Sequence, residues 1–235
     1  MIGLIFTYLL FAYGTLTGWI KPVHGLMAFY AFSILRPPHL WFWSVGTTGI
    51  RYSFWLGIST LTGWAIKSFG DWKAVRPVLL PVCCLGLYLL SGFVAMQVNA
   101  IHPQQAMDQW IIQAKIAIMV LVTLTLITRP GQIKALAWIL LIGHAYLAYV
   151  FNEQYYFQNY NRVYWRGFGG IDNNGIAMVM VMAAPIAFYM GVYTKRWTIR
   201  AGCLVAAILI AHVVLLSFSR GGQLGLIIVG LMIFT

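Results

Sequence analysis

The chain has 235 residues, of which 61% are hydrophobic and 8% are charged, and its mean hydropathy is +0.82. Repeated apolar runs of nearly 20 residues exclude a soluble domain and predict membrane-spanning helices. The formal net charge of +11 does not indicate a nucleic-acid partner. The basic residues are scattered singly between apolar runs, which is the pattern of membrane topology.

The first apolar run, from Ile2 to Ile20, lacks the basic start and small-residue cleavage site of a signal peptide, so we expect a retained helix. The second run is short, and we expect it to tilt or to pair with the interfacial aromatic stretch at 40–43. The predicted spans are 2–20, 22–35, 52–67, 77–96, 110–128, 133–151, 175–193, 201–218 and 223–235. The last run stops within an apolar segment too short to cross a bilayer, which predicts an N-terminal portion of a longer protein.

The predicted fold is therefore all-α: one polytopic transmembrane domain over 1–235 with about nine helices. Basic residues are more numerous in the odd-numbered loops than in the even-numbered ones, which predicts cytoplasmic odd loops and an outer N-terminus. The longest polar segment, 152–174, is then an outer loop. The adjacent Cys83 and Cys84, and Cys203 within another span, show no metal-ligand spacing and are interpreted as buried thiols.

Positive charge on the predicted outer side needs a separate explanation. All five such residues are arginines, whose fork of donors suits bidentate contact with phosphate or carboxylate. These residues are Arg36, Arg51, Arg162, Arg166 and Arg220. For Arg36 and Arg51, contact with lipid headgroups explains the charge equally well.

The segment from Arg166 to Gly175 carries three glycines and then Asp172, Asn173 and Asn174 before an apolar run. This order predicts a turn followed by a helix start, with Asn173 or Asn174 as the N-cap. Backbone N–H groups at a helix start favour an anion. Arg220 precedes Gly221 and Gly222 in the same way, so we expect the two segments to share a diphosphate. Asp172 could act as a base or orient Arg166.

Other polar residues leave alternatives open. Five aromatic residues among Asn and Gln suit a sugar ring, or equally an interfacial belt; they are Tyr155, Tyr156, Tyr160, Tyr164 and Trp165. Lys115 could reach the interface or pair with an anionic substrate. His144 and His212 are interpreted as hydrogen-bonded packing residues.

Three segments carry a family resemblance. The stretch Ser217-Phe-Ser-Arg-Gly-Gly resembles the Ser-Arg-Gly signature of the O-antigen ligase and polymerase superfamily. The segment 170–177 with Pro185 is similar to the helix start that precedes this signature. Residues 21–39 resemble the N-terminal region of the exosortase-associated probable O-glycosylation ligases.

The resemblance implies a GT-C-like helical bundle in the bacterial inner membrane and a metal-independent ligase without a cofactor. Such an enzyme transfers an undecaprenyl-diphosphate-linked glycan to a lipid, sugar or protein hydroxyl on the periplasmic side. Arg220 matches the family's first diphosphate-binding arginine, and Arg166 is expected to assist it in catalysis. Substrate contacts are expected from Arg162, Asp172, Asn173, Asn174, Lys115 and Gly221. The family's catalytic histidine lies further downstream, and nothing in this chain matches it.

The sequence leaves three alternatives to the ligase open. A polysaccharide polymerase of the same superfamily would use the same donor and the same diphosphate contacts. A polysaccharide or lipid-carrier transporter would also carry intramembrane charge, but should show inverted repeats, and none is evident. A non-catalytic assembly subunit would need no base. Membrane lipids are expected partners in every case, and nucleic acid in none.

Overall fold

The computed structural model describes residues 2–46 and 49–234. The structure is 84% helical, and the described residues contain no strand, which confirms the predicted all-α class. The α-helices are α1 (Ile2–Ile20), α2 (Pro22–Leu35), α3 (Pro37–Leu40), α4 (Tyr52–Ile66), α5 (Leu79–Asn99), α6 (Pro103–Leu126), α7 (Pro130–Phe157), α8 (Arg162–Arg166), α9 (Asn173–Tyr193), α10 (Trp197–Leu216) and α11 (Arg220–Phe234). A 3₁₀ helix, Trp72–Val78, leads into α5.

Six of the described helical segments are long and apolar enough to cross a membrane. They are α1, α5 with its preceding 3₁₀ helix, α6, α7, α9 and α10. The other three predicted spans form α2, α4 and α11, which have 14, 15 and 15 residues. A straight crossing needs about 20 residues, so the predicted number of about nine spans is not confirmed. Thr235, the end of the last predicted span, lies outside the described residues.

The polar segment 152–174 is not one loop as predicted. Helix α7 continues to Phe157, and α8 occupies residues 162–166. Polar residues did not mark the end of α7, because the side-chain amide of Asn152 donates hydrogen bonds to carbonyl groups of α7 and α10. A side chain that is hydrogen-bonded in this way does not force the backbone out of a helix.

The chain divides into two compact units. The first consists of Met1–Thr7, Tyr30–Ile50 and Lys134–Thr235. Its core lies between α7, α9 and α10 and includes Phe151, Met180 and Ile210. Small side chains on α9 allow close helix packing, as in many membrane proteins: Ala177, Ala183, Ala184, Ala187 and Gly191 are all buried.

The second unit consists of Tyr8–Phe29 and Arg51–Ile133. Its α1, α2 and α4 segments pack closely because glycines face one another. A Cβ at Gly25 would meet the Gly18 backbone, and one at Gly63 would collide with Gly18 O. Ser59 Oγ donates to Thr15 O at 2.6 Å, which adds a polar contact to this small-residue interface.

Candidate functional site

The glycine-rich segment after α8 forms a tight left-handed turn. Gly167, Gly169 and Gly170 have φ values of 62°, 63° and 82°, which an L side chain rarely adopts. Phe168 and Ile171 pair through their backbones across the turn, and Phe168 is 4% exposed. The predicted turn followed by a helix start is therefore confirmed.

The predicted N-cap of α9 was wrong by one or two residues. The cap is Asp172, whose carboxylate accepts from Gly175 N at 2.8 Å, and Asn173 is already the first helical residue. An aspartate at this position also complements the helix dipole. Its side-chain hydrogen bond therefore goes to the helix start, and the described residues show no bond between Asp172 and Arg166.

Buried Phe168 brings together basic residues from two distant parts of the chain. The guanidinium carbon of Arg162 lies 5.2 Å from the centroid of the Phe168 ring, in a cation–π contact. Arg162 Nη2 also donates to His39 O at 3.1 Å, and the His39 ring meets the edge of Phe168. His39 therefore joins a site for which the sequence had not indicated a histidine.

Arg36 lies on the other side of the same turn. A Cβ at Gly169 would collide with the Cδ of Arg36, so the glycine leaves room for this arginine. Arg36 has a left-handed backbone, with φ 44°, where α2 ends and α3 begins. Its Nε donates to Ser33 O at 3.4 Å. We call Arg36, His39, Arg162 and Arg166 the basic cluster.

Two causes, burial and neighbouring positive charge, lower pKa values in the basic cluster. Burial lowers the pKa of Arg36. Burial is also the largest cause of the lowered pKa of Arg162, which its interaction with Tyr160 raises in part and the charge of Arg166 lowers. The pKa of His39 is lowered by burial first and then by the charges of Arg36 and Arg162. In the part of the chain that the structure describes, no carboxylate forms an ion pair with these residues. Half-buried guanidinium groups in this state favour binding an anion.

Arg220 is the first residue of α11 and has an exposed side chain. The preceding turn is tightly bonded: Ser219 N donates to Ser217 Oγ at 3.1 Å, and Gly222 N donates to Ser219 Oγ at 3.1 Å. Ser219 is thus the N-cap of α11. Gly222 is buried against Ala177, whereas a Cβ at Gly221 would meet open space. The exposed backbone at Gly221 is therefore the part of this turn that a ligand can approach.

Two asparagines and one aromatic pair join the Arg220 turn to the basic cluster. Asn161 caps α8 and also donates from Nδ2 to Leu216 O at 2.8 Å. Asn173 Nδ2 donates to Ser217 O at 2.9 Å. The rings of Tyr164 and Phe218 pack edge to face, with centroids 5.3 Å apart. The segments that carry Arg162, Arg166 and Arg220 therefore meet at one end of the helices. That two of them share a diphosphate stays a prediction.

The remaining candidates separate into different environments. Asn174 is exposed beside the α9 cap. Lys115 belongs to the second unit, where its side chain is exposed on α6. His144 is buried and hydrogen-bonds to Leu140 O at 2.7 Å, which confirms a packing role. No group of three or more potential metal-binding His, Cys, Asp or Glu side chains occurs among the residues described.

Together these features define a multi-pass α-helical membrane protein with an uncompensated basic site at the ends of its helices. Comparison of the chain with family models, with curated proteins and with solved structures gives no match.

Proposed function

We propose that this protein is a glycan ligase of the O-antigen ligase and polymerase superfamily, similar to the exosortase-associated O-glycosylation ligases. It transfers an undecaprenyl-diphosphate-linked glycan to a hydroxyl acceptor on the periplasmic side of the inner membrane. The observation that carries the proposal is the basic cluster without carboxylates, joined to the Arg220 turn by Asn161 and Asn173.

In this proposal the diphosphate of the donor lies between the basic cluster and the start of α11. Arg166 and Arg220 are the exposed arginines there and contact its oxygens, while the half-buried Arg162 and Arg36 add positive charge. Negative charge develops on the diphosphate as the bond to the sugar breaks. Positioned guanidinium groups stabilise that charge more strongly in the transition state than in the ground state, which accelerates the transfer.

The exposed residues near this site suit the rest of the donor. Tyr164 and Trp165 pack edge to face and project from α8 at 46% and 71% exposure. Aromatic faces of this kind stack on the apolar faces of sugar rings. Asn174 and the open backbone at Gly221 supply polar groups close by.

The test is glycan transfer in proteoliposomes by protein made from the complete reading frame, with undecaprenyl-diphosphate-linked glycan as the donor. Arg220→Lys is expected to lower transfer by at least about 100-fold, because an ammonium group cannot reproduce bidentate contact with the diphosphate. Arg129→Lys is the matched control, since Arg129 is exposed in the second unit.

Three outcomes decide the proposal. A selective loss in Arg220→Lys, with normal gel filtration and thermal unfolding, supports the ligase. Transfer by Arg220→Lys at the wild-type rate refutes the diphosphate contact. Wild-type protein that moves labelled carrier across the bilayer without transferring glycan refutes the ligase and favours a transporter.

A further inference from the structure

A cavity of about 830 Å³ lies between the start of α7, the end of α9 and the start of α10. Ligand sites in proteins usually have volumes of about 300–1,000 Å³. The cavity belongs wholly to the first unit, since its lining residues all lie between Lys134 and Ile199. None of them belongs to the basic cluster or to the Arg220 turn, so the function proposed above gives this cavity no role.

The cavity and the basic cluster are at opposite ends of α9. The glycine-rich turn precedes the first residue of this helix, whereas Tyr189, Met190 and Tyr193 from its last turns line the cavity. A helix of 21 residues is about 30 Å long, which equals the thickness of the hydrocarbon core of a bilayer. Since α9 is long and apolar enough to cross a membrane, the cavity lies at the membrane–water boundary opposite the basic cluster.

Aromatic and apolar side chains form the walls of the cavity. Trp138, Met190 and Ile199 line it and also pack against the buried core of the first unit, which holds them in place. The rings of Tyr189 and Tyr193 stack with their centroids 6.2 Å apart. Tryptophan and tyrosine are typical of the membrane boundary, where the ring contacts acyl chains and its polar atom faces water. The walls therefore suit a ligand with an apolar part.

Three exposed basic side chains line the same cavity: Lys134, Lys195 and Arg196. The first unit has only two carboxylates, and both are remote from it. Glu153 follows Lys134 by 19 residues of α7, which is a rise of about 28 Å. Asp172 precedes the first residue of α9, at the other end of that helix. No carboxylate of this unit neutralises the three charges, so the cavity favours a ligand that is anionic as well as apolar.

Membrane topology alone explains why basic residues are on this side, which the loop charges predict to be cytoplasmic. It does not require three of them to border one cavity with aromatic walls. Basic pockets between membrane helices on the cytoplasmic side bind the headgroups of anionic lipids. A soluble phosphate would contact the charges but not the walls, and a neutral lipid would contact the walls but not the charges. An anionic lipid uses both.

We propose that this cavity binds an anionic phospholipid of the surrounding leaflet. Its phosphate lies between Lys134, Lys195 and Arg196, and its acyl chains lie against Trp138 and Met190. This lipid is distinct from the proposed glycan donor, because the cavity is at the opposite end of α9 from the arginines that hold the donor diphosphate. The inference goes beyond the proposed function and does not depend on it.

The test is titration of full-length protein in neutral detergent with phosphatidylglycerol. Native mass spectrometry gives the Kd, and the unfolding temperature should rise with occupancy, since a ligand of the folded state stabilises it. Each Lys or Arg near an anionic lipid contributes about fivefold in affinity. Lys134→Gln combined with Arg196→Gln should therefore raise the Kd about 30-fold. The side chain of Arg196 makes no capping hydrogen bond to α10, so its replacement leaves the helix start intact.

Arg129→Gln combined with Arg200→Gln is the matched control. It removes the same amount of charge from exposed arginines that do not line the cavity. Its Kd should stay within about threefold of the wild-type value, because distant exposed charges are screened. Ala137→Phe is an independent variant that keeps every charge. Ala137 lines the cavity, so the larger ring should fill it and weaken binding of the lipid.

The outcomes decide between a lipid site and simple attraction by net charge. Selective loss of binding in Lys134→Gln with Arg196→Gln, and in Ala137→Phe, supports the site. Equal Kd values for the two double variants overturn it, because net charge alone then holds the lipid. Undiminished binding by Ala137→Phe overturns it too, since the lipid then lies outside the cavity. Phosphatidylcholine bound as tightly as phosphatidylglycerol refutes the role of the charges. Displacement by an equal concentration of glycerol phosphate, which has no acyl chains, refutes the role of the walls.

Discussion

Gly169 offers the sharpest test of the basic cluster, because its neighbour Gly170 provides a matched control. Both glycines have left-handed backbones, with φ values of 63° and 82°. A Cβ at Gly169 would collide with Arg36, whereas a Cβ at Gly170 would meet nothing within 4 Å. Alanine at either position therefore strains the backbone, but only Gly169→Ala displaces a guanidinium group.

The expected magnitudes follow from these two effects. A left-handed alanine costs about 1–2 kcal/mol of folding free energy, so both variants should unfold at a lower temperature by similar amounts. A charge-assisted hydrogen bond contributes about 1.5–3 kcal/mol. If displacement of Arg36 removes one such bond to the diphosphate, Gly169→Ala should bind the lipid diphosphate about 10- to 100-fold more weakly than Gly170→Ala.

The assay is binding of undecaprenyl diphosphate to detergent-purified protein, compared at equal fractions of folded protein for both variants. Equal affinities of Gly169→Ala and Gly170→Ala would refute the reasoning, because Arg36 would then contribute nothing to the anion site. A loss of affinity in Gly169→Ala alone would show that the half-buried Arg36, and not only the exposed arginines, contacts the ligand.

Two further predictions concern the surroundings of the site. Burial and the charges of Arg36 and Arg162 lower the pKa of His39 in the folded state. Because the unfolded state then binds the proton more readily, folding stability is lost as the pH falls below about 6.5. His39→Gln should therefore reduce the drop in unfolding temperature between about pH 7 and pH 5, and an unchanged drop would contradict this. Ser219→Ala should lower the free energy of unfolding by about 1 kcal/mol, because it removes the N-cap of α11, and it should impair glycan transfer by displacing Arg220. Ser219→Thr keeps the hydroxyl and is the control. Equal unfolding temperatures of the two variants would refute the capping role.

The sequence predicted those features that depend on local pattern. Hydropathy gave α1 and α9 almost to the residue, since an apolar run must be helical to satisfy its backbone in a membrane. The turn after Arg166 followed from its glycines. The end of α7 was missed, because hydropathy reports depth in the membrane and not helicity. The polar residues between Phe151 and Phe157 are nevertheless part of the helix.

The composition of the basic cluster could not be predicted from local pattern. Arg162 contacts His39, which is 123 positions earlier in the chain, and neither residue lies in a periodic motif that indicates the contact. One signal was available: Arg36 precedes two prolines, and proline disfavours an α-helical conformation in the residue before it. That restriction accounts for the end of α2 before Pro37, although Arg36 takes a left-handed backbone and not the extended one that the restriction favours.

The distribution of carboxylates explains why the arginines favour an external anion. The chain has only four Asp and Glu residues. Asp172 bonds the start of α9, Asp71 bonds the start of the 3₁₀ helix, and Glu153 accepts from Gln158. Each of these three carboxylates thus has a local partner that is not an arginine, and the fourth, Asp108, is exposed on α6 in the second unit. The charge of the basic cluster is consequently left for a ligand, and a diphosphate, whose two phosphate groups share a bridging oxygen, can reach more than one guanidinium at once.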